Sequence, residues 1–208
     1  MVRAVLLDAL GTLVELEPPW PHLAAGLDVG MACAERAMRQ EMRYYREHSH
    51  EGRDADSLAD LRRRCAAIVS GELGRDVSVE QLMTAIRFRA FGDARGALEE
   101  LRRLGLRLVC VSNWDISLPS VLERCGLAEN LDAVLTSAAT GARKPDPRIF
   151  AAALDAAGCS AAEALHVGDS PAEDVDGARS AGVRVLLIDR HGNGDLRSLA
   201  DIRHHLDS

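Results

Sequence analysis

Aromatic side chains make up only 3% of this chain, so they cannot dominate its core or form a stacking platform for nucleic-acid bases. Lysine is scarcer still. Lys144 is the only one, and the other 24 of the 25 Lys+Arg residues are arginine. No apolar run approaches the ~18 residues that a membrane span needs. No CxxC pair exists either, because Cys33, Cys65, Cys110, Cys125 and Cys159 are odd in number and widely scattered. Each is expected to be a small buried hydrophobe with a reduced thiol. A basic run dense enough to follow a phosphate backbone is also missing. The net charge is −7, and the arginines of LADLRRRCAAI sit among acids at helical spacing. Neither a nucleic acid nor a membrane is expected as a partner. The amino-terminal MVRAVLLD enters a buried-strand pattern at once, leaving no room for a secretion signal, so a cytoplasmic protein is expected.

What is present is ample apolar material, 47% of 208 residues and mostly Ala, Leu and Val. That is enough for one large domain, or for one domain carrying a smaller insertion. The segments AVLLD, RLVCVSN and ALHVGD read as parallel strands, since each is a short apolar run ending in polar residues and followed by a helical pattern. DAVLTS and VRVLLID have the same character. Helices between them stop at Gly105, Gly126 and Gly158. This alternation predicts an α/β fold, a doubly wound parallel sheet with helices on both faces. From Pro18 to Phe91 the alternation breaks, and MACAERAMRQEMRYYREH, SLADLRRRCAAIVSGEL and SVEQLMTAIRF read as helices, the last opened by a capping box of Ser78 and Gln81. The expected organisation is therefore a core of 1–17 and 92–208 with an inserted all-α cap of 18–91. Such an insertion would sit over the carboxyl ends of the strands, where open α/β sheets bind ligands. Its hinges are expected at Glu15 to Pro19 and Phe91 to Ala94, with Gly92 as the pivot.

Polar residues collect at those strand ends: Asp8, then Ser112 and Asn113, then Asp169 with Asp174 five residues on, and Lys144 in the intervening GARKPDP. A chain that uses arginine elsewhere has kept one compact ammonium, in a loop stiffened by Pro145 and Pro147. A surface accident is the plainer reading of Lys144. Three converging aspartates would repel unless a cation lay among them, and hard oxygen ligands favour Mg²⁺. The plainer reading of Asp169 and Asp174 is a helix N-cap and a first-turn acid.

The ordered set LLDALGTL, VSNWD, KPDP and VGDSPAEDV resembles the haloacid dehalogenase superfamily, specifically the subfamily with a helical cap after the first strand, along essentially the whole chain. The resemblance implies a Rossmann-like core and hydrolysis of a small phosphorylated substrate. It would make Asp8 the nucleophile, Thr12 its hydrogen-bonding supporter, Ser112 and Asn113 the binders of the transferring group, and Lys144 the link between nucleophile and phosphate. Asp8, Asp169, Asp174 and the carbonyl of residue 10 would hold the metal. Leu10 departs from the pattern, because the family's phosphatases carry an acid there that protonates the leaving alcohol and activates water. Its loss predicts impaired or specialised turnover, unless Glu15, Glu17 or His22 takes the role. Related branches offer a metal-free 2-haloacid dehalogenase and a catalytically weak binding module as alternatives. The phosphonate-cleaving branch requires a cap lysine that this chain lacks. Substrate identity and oligomeric state are not legible.

Overall fold

The computed structural model describes residues 1–206. Five parallel strands form the main sheet: β1 (Ala4–Leu7), β4 (Arg107–Ser112), β5 (Ala133–Thr136), β6 (Ala164–Gly168) and β7 (Arg184–Leu187), in the order β5-β4-β1-β6-β7. Two shorter strands, β2 (Val14–Leu16) and β3 (Phe88–Ala90), form a separate antiparallel ribbon. Strand β1 is central and wholly buried. Leu7 lies opposite Cys110 on one side and Val167 on the other. Alternate side chains of β1 feed opposite faces, as the two-residue period of a strand requires. Val5 and Leu7 join one apolar cluster, Ala4 and Leu6 the other.

Four helices lie between the two ribbon strands: α1 (Pro19–Leu27), α2 (Met31–His48), α3 (Ala55–Leu73) and α4 (Val79–Ala85). Five more lie along the remainder of the chain: α5 (Ala94–Arg103), α6 (Leu118–Arg124), α7 (Ser137–Thr140), α8 (Pro147–Ala157) and α9 (Asp176–Ser180). Helices α5 and α6 cover the Val5 and Leu7 face, and α8 and α9 the Ala4 and Leu6 face. The sheet is thus doubly wound, as the alternation predicted.

Helices α1 to α4 enclose an apolar cluster of their own, with Leu23, Met38, Leu61, Val69 and Leu82 at its centre. Each such side chain contributes ~1.5–3 kcal/mol on full burial. The buried stripe of α2 runs Ala34, Ala37, Met38, Glu41, the i, i+3, i+4, i+7 spacing of one helix face. The capping box forms as expected, with Ser78 Oγ accepting from the Gln81 amide at 3.1 Å and Gln81 Oε1 from the Ser78 amide at 2.9 Å. Helix α4 ends at Ala85, however, and Phe88, expected to be its last residue, instead opens β3. Both passages between the helical segment and the sheet are therefore strands, and their pairing makes one twin-stranded connection.

Candidate active site

Asp8 follows β1, Ser112 and Asn113 lie at the end of β4, and Asp169 follows β6, so the parallel sheet brings their carboxyl-terminal ends to one mouth. Lys144 is 1% exposed, which excludes the surface-accident reading. Its Nζ donates to Asp8 Oδ1 at 2.5 Å and to Asp174 Oδ1 at 2.5 Å. Ser112 Oγ donates to the same Asp8 Oδ1 at 3.1 Å. Both bonds fall on one oxygen of Asp8, so Oδ2 is the oxygen left for attack or for a cation.

Asn113 holds the loop that carries Lys144. Its amide clasps the Lys144 backbone on both sides, Oδ1 accepting from the Lys144 N–H at 2.8 Å and Nδ2 donating to the Lys144 carbonyl at 3.0 Å. It thereby fixes where the lysine leaves the chain. Thr12 is wholly buried, yet its hydroxyl makes no hydrogen bond among the described residues, so the expected support of Asp8 is not made.

Gly11 stands at φ 89°, a conformation that side-chain-bearing residues rarely adopt, and a Cβ there would fall 2.0 Å from Asp169 Oδ2. The glycine lets the loop after β1 close against Asp169. Ser170, not Asp169, caps the following turn, accepting from the Glu173 amide at 3.2 Å. The N-cap reading of Asp169 therefore fails. That turn, Pro171–Val175, is a single π-helical turn, a feature frequent at functional sites. It presents Asp174, whose Oδ1 also faces His166 Nε2 at 2.9 Å while Oδ2 accepts from the Ser170 amide at 3.0 Å. With both oxygens engaged, Asp174 is suited to orienting neighbours, and Asp8 and Asp169 offer the freer oxygens.

Ligand oxygens of Asp8, Asp169 and Asp174 lie within 4.8 Å of one another. Burial, with the charges of Asp174 and Asp169 adding to it against the pull of Lys144, pushes the Asp8 carboxyl up to about 7. Asp169 is exposed at the mouth, and partial desolvation with the charge of Asp174 raises its carboxyl to about 6. Asp174 goes the other way. Burial opposes its charge, but Lys144 and His166 hold it well below the usual range. Lys144 is likewise held above its ordinary value, its burial outweighed by Asp8 and Asp174. A hard divalent cation among these oxygens would offset the crowding that raises Asp8 and Asp169. The donor set, all carboxylate oxygen, fits Mg²⁺, and among the described residues the Leu10 carbonyl accepts no hydrogen bond that would compete.

Leu10, which the resemblance sets in the place of an acid, is 40% exposed. None of the substitutes considered joins the cluster. Glu15 pairs with Arg89 across the ribbon at 3.0 Å, and Glu17 faces His22 at 3.6 Å.

Three contacts escape a reading of the motifs. His166 lies beneath Asp174, and its Nδ1 faces the Leu6 carbonyl at 3.1 Å. Both ring nitrogens thus face acceptor oxygens. A histidine inside the otherwise apolar strand ALHVG was the available signal. Asp115 accepts from Tyr45 Oη of α2 at 2.9 Å, tying the helical segment to the loop after β4. The Gly52 carbonyl takes the Ile116 amide at 3.0 Å beside it. Nothing in the sequence pairs those positions.

Among the described residues no helix is long and apolar enough to cross a membrane. A family model for haloacid dehalogenase-like hydrolases matches residues 2–182. Human haloacid dehalogenase-like hydrolase domain-containing protein 3 is 31% identical over 90% of this chain and 82% of its own. A phosphoserine phosphatase of Thermus thermophilus is 44% identical over 50% of this chain and 42% of its own. The chain spans about half the length of most curated relatives it matches. Among solved structures, a HAD phosphatase from Thermococcus onnurineus superposes with TM-score 0.70 at 26% identity, covering 99% of this chain and 98% of that one. The L-2-haloacid dehalogenase of Xanthobacter autotrophicus, at TM-score 0.76 and 22% identity over 100% of this chain and 99% of that one, shares the fold. With the sheet, the mouth and these likenesses in agreement, the chain belongs to the haloacid dehalogenase-like hydrolases.

Proposed function

We propose that this protein is a Mg²⁺-dependent phosphohydrolase of small phosphorylated metabolites, working through an aspartyl-phosphate on Asp8 with slowed or specialised turnover. The observation that carries this reading is the Asp8 carboxylate itself. Its Oδ1 is held by Ser112 Oγ and by Lys144 Nζ, while Oδ2 takes no hydrogen bond among the described residues, and a carboxylate oxygen of Asp8 lies within 4.8 Å of one of Asp169. A carboxylate held at one oxygen is oriented for attack with the other. The phosphatase relatives support phosphoryl transfer over other hydrolyses.

In this reading Oδ2 attacks phosphorus, the bond to the leaving oxygen breaks, and the phosphoryl group passes to Asp8. Lys144 remains an ammonium throughout, offsetting charge on the phosphoryl oxygens while anchored by Asp174. Asn113 keeps it aimed through its backbone. Asp8, Asp169 and the Leu10 carbonyl would hold Mg²⁺, with Asp174 supporting it. The ion would supply positive charge to the phosphoryl oxygens during transfer. Residues 18–91 would act as the cap that limits water access. With Leu10 in the acid's place, the leaving alcohol takes its proton from solvent, and no side chain at that position activates the water that cleaves the acyl phosphate. General acid–base help of this kind is worth about 10²–10⁴ in rate.

The test is phosphate release from a panel of small phosphate esters, with Mg²⁺ or with EDTA, by wild type and Asp8→Asn. Release that needs both Mg²⁺ and Asp8 is expected. Halide release from a 2-haloacid in EDTA, dependent on Asp8, would transfer the protein to the dehalogenases. No release of either product, with metal binding intact, would leave it a binding module.

A further inference from the structure

We propose that Arg190 is a positioning residue, a clamp that locks the nucleophile loop to the base of the cap ribbon so that the two move as one body. Arg190 follows β7, and its guanidinium divides its donors between two distant stretches of chain. Nη1 reaches both oxygens of Asp93 at 3.0 Å, and Nη2 donates to the Thr12 carbonyl at 2.8 Å. The face of the guanidinium lies 3.6 Å from the Phe91 ring centroid. Thr12 belongs to the turn between Asp8 and the first ribbon strand, whereas Phe91 and Asp93 flank the exit of the second. One side chain thus grips both passages between the sheet and the helical segment where they meet the sheet.

The grip is reinforced from each side. The Phe91 amide donates to the Leu13 carbonyl at 3.1 Å, joining the two passages directly. Asp93 Oδ2 also accepts from Ser198 Oγ at 2.7 Å and from the Leu199 amide at 2.8 Å, so the carboxylate is pinned to the carboxyl-terminal segment. Upstream of Arg190, the Ile188 amide bonds the Gly168 carbonyl at 2.9 Å, next to Asp169. A continuous path of hydrogen bonds and adjacent residues therefore runs from the end of β6, through Arg190, to the loop that carries Asp8.

An ordinary ion pair would need only Asp93. A planar fork on a carboxylate, a backbone carbonyl and an aromatic face at once is a geometry that lysine cannot reproduce. The clamp also relocates the hinge. Gly92, expected as the pivot, lies between two residues that Arg190 holds. Bending is thereby moved outward, to Pro18 and Ile86, where the ribbon gives way to α1 and α4.

The kinetic side of this inference rests on the phosphohydrolase reading, and its structural side does not. In Arg190→Lys the charge opposite Asp93 is kept and the bridge to Thr12 is lost. Amide hydrogen exchange should then quicken by about tenfold or more at Leu13 and at Phe91, whose bonds lie under the clamp. On the best phosphate ester, kcat should fall by about tenfold to a hundredfold with KM and Mg²⁺ affinity within about threefold, since a small misplacement of the nucleophile suffices. Unchanged exchange and unchanged kcat, with only a lower Tm, would overturn the clamp and leave Arg190 a simple stabiliser. If wild type releases no phosphate, the phosphohydrolase reading fails, and the exchange measurement still decides the clamp. Should Arg190→Lys not fold, Asp93→Asn keeps the shape and one acceptor oxygen, and the same exchange comparison applies.

Discussion

Glu41 is a carboxylate in an apolar stripe, and replacing it should make the protein more stable at alkaline pH. It is 3% exposed, on the same face of α2 as Ala34, Ala37 and Met38. Burial pushes its carboxyl up to about 7 from an ordinary 4.5, with the Cys65 thiol partly offsetting the rise. The folded protein therefore holds this proton between pH 4.5 and about 7, where the unfolded chain has released it. Stability is lost as pH rises through that window and is fully retained below it. At ~1.4 kcal/mol per pH unit, the loss approaches ~3 kcal/mol by pH 8. Glu41→Gln keeps the volume without the charge, and its extra amide donors cost back about 1 kcal/mol. The variant should thus gain about 2 kcal/mol over wild type at pH 8, or ~4–8 °C in Tm, and be about 1 kcal/mol less stable than wild type at pH 4. Asp8 and Asp169 titrate in the same range but are common to both proteins, so the difference isolates Glu41. Denaturant melts at pH 4, 6 and 8 read it directly. A difference that does not change with pH, or a variant less stable at pH 8, would refute the assignment of a strained buried carboxylate.

Three further outcomes are expected. Leu10→Asp should raise phosphatase turnover, by at most the ~10²–10⁴ of acid–base catalysis, because the side chain at that position is exposed and a carboxylate there need not be buried; unchanged steady-state kinetics would mean that another group already serves. Asp169→Ala should abolish Mg²⁺ binding in calorimetry while the fold persists, since among the described residues the Asp169 side chain makes no bond that the core needs; equal binding in both proteins would remove it from the ligand set. Tyr45→Phe should cost ~1.5–3 kcal/mol, the usual range for a hydrogen bond to a charged group, at the Asp115 contact. The same change should quicken amide exchange in the loop after β4, and unaltered exchange there would show that the contact does not tie the helical segment down.

The five parallel strands were legible because each is a short apolar run closed by polar residues, the pattern of a strand buried on both faces. Helix α2 was legible from its periodicity, and α5, α6 and α8 from their glycine stops, and Gly105, Gly126 and Gly158 do take φ of 80°, 67° and 66°. The ribbon was not. Phe88–Ala90 is three residues long and follows a capped helix, so local pattern extends the helix where tertiary pairing with β2 prevails. Lys144 stood out in composition alone, and its burial between Asp8 and Asp174 agrees with that signal. By contrast, Arg190 is one arginine among 24. Its partners Thr12 and Asp93 lie 178 and 97 residues away, so only folding makes it singular. Glu41 was hidden for the opposite reason, because a glutamate on a long helix reads as solvated until packing of the helical segment shows which face it occupies.

The most direct test of the central claim is to look for the covalent intermediate. Wild type would be mixed with Mg²⁺ and a small acyl phosphate or aryl phosphate donor, quenched in acid, digested and analysed by mass spectrometry. The account predicts a phosphoryl adduct on the peptide containing Asp8, absent in Asp8→Asn and in EDTA, and longer lived in wild type than in Leu10→Asp. Phosphate release that persists in Asp8→Asn, or an adduct on any other residue, would contradict it.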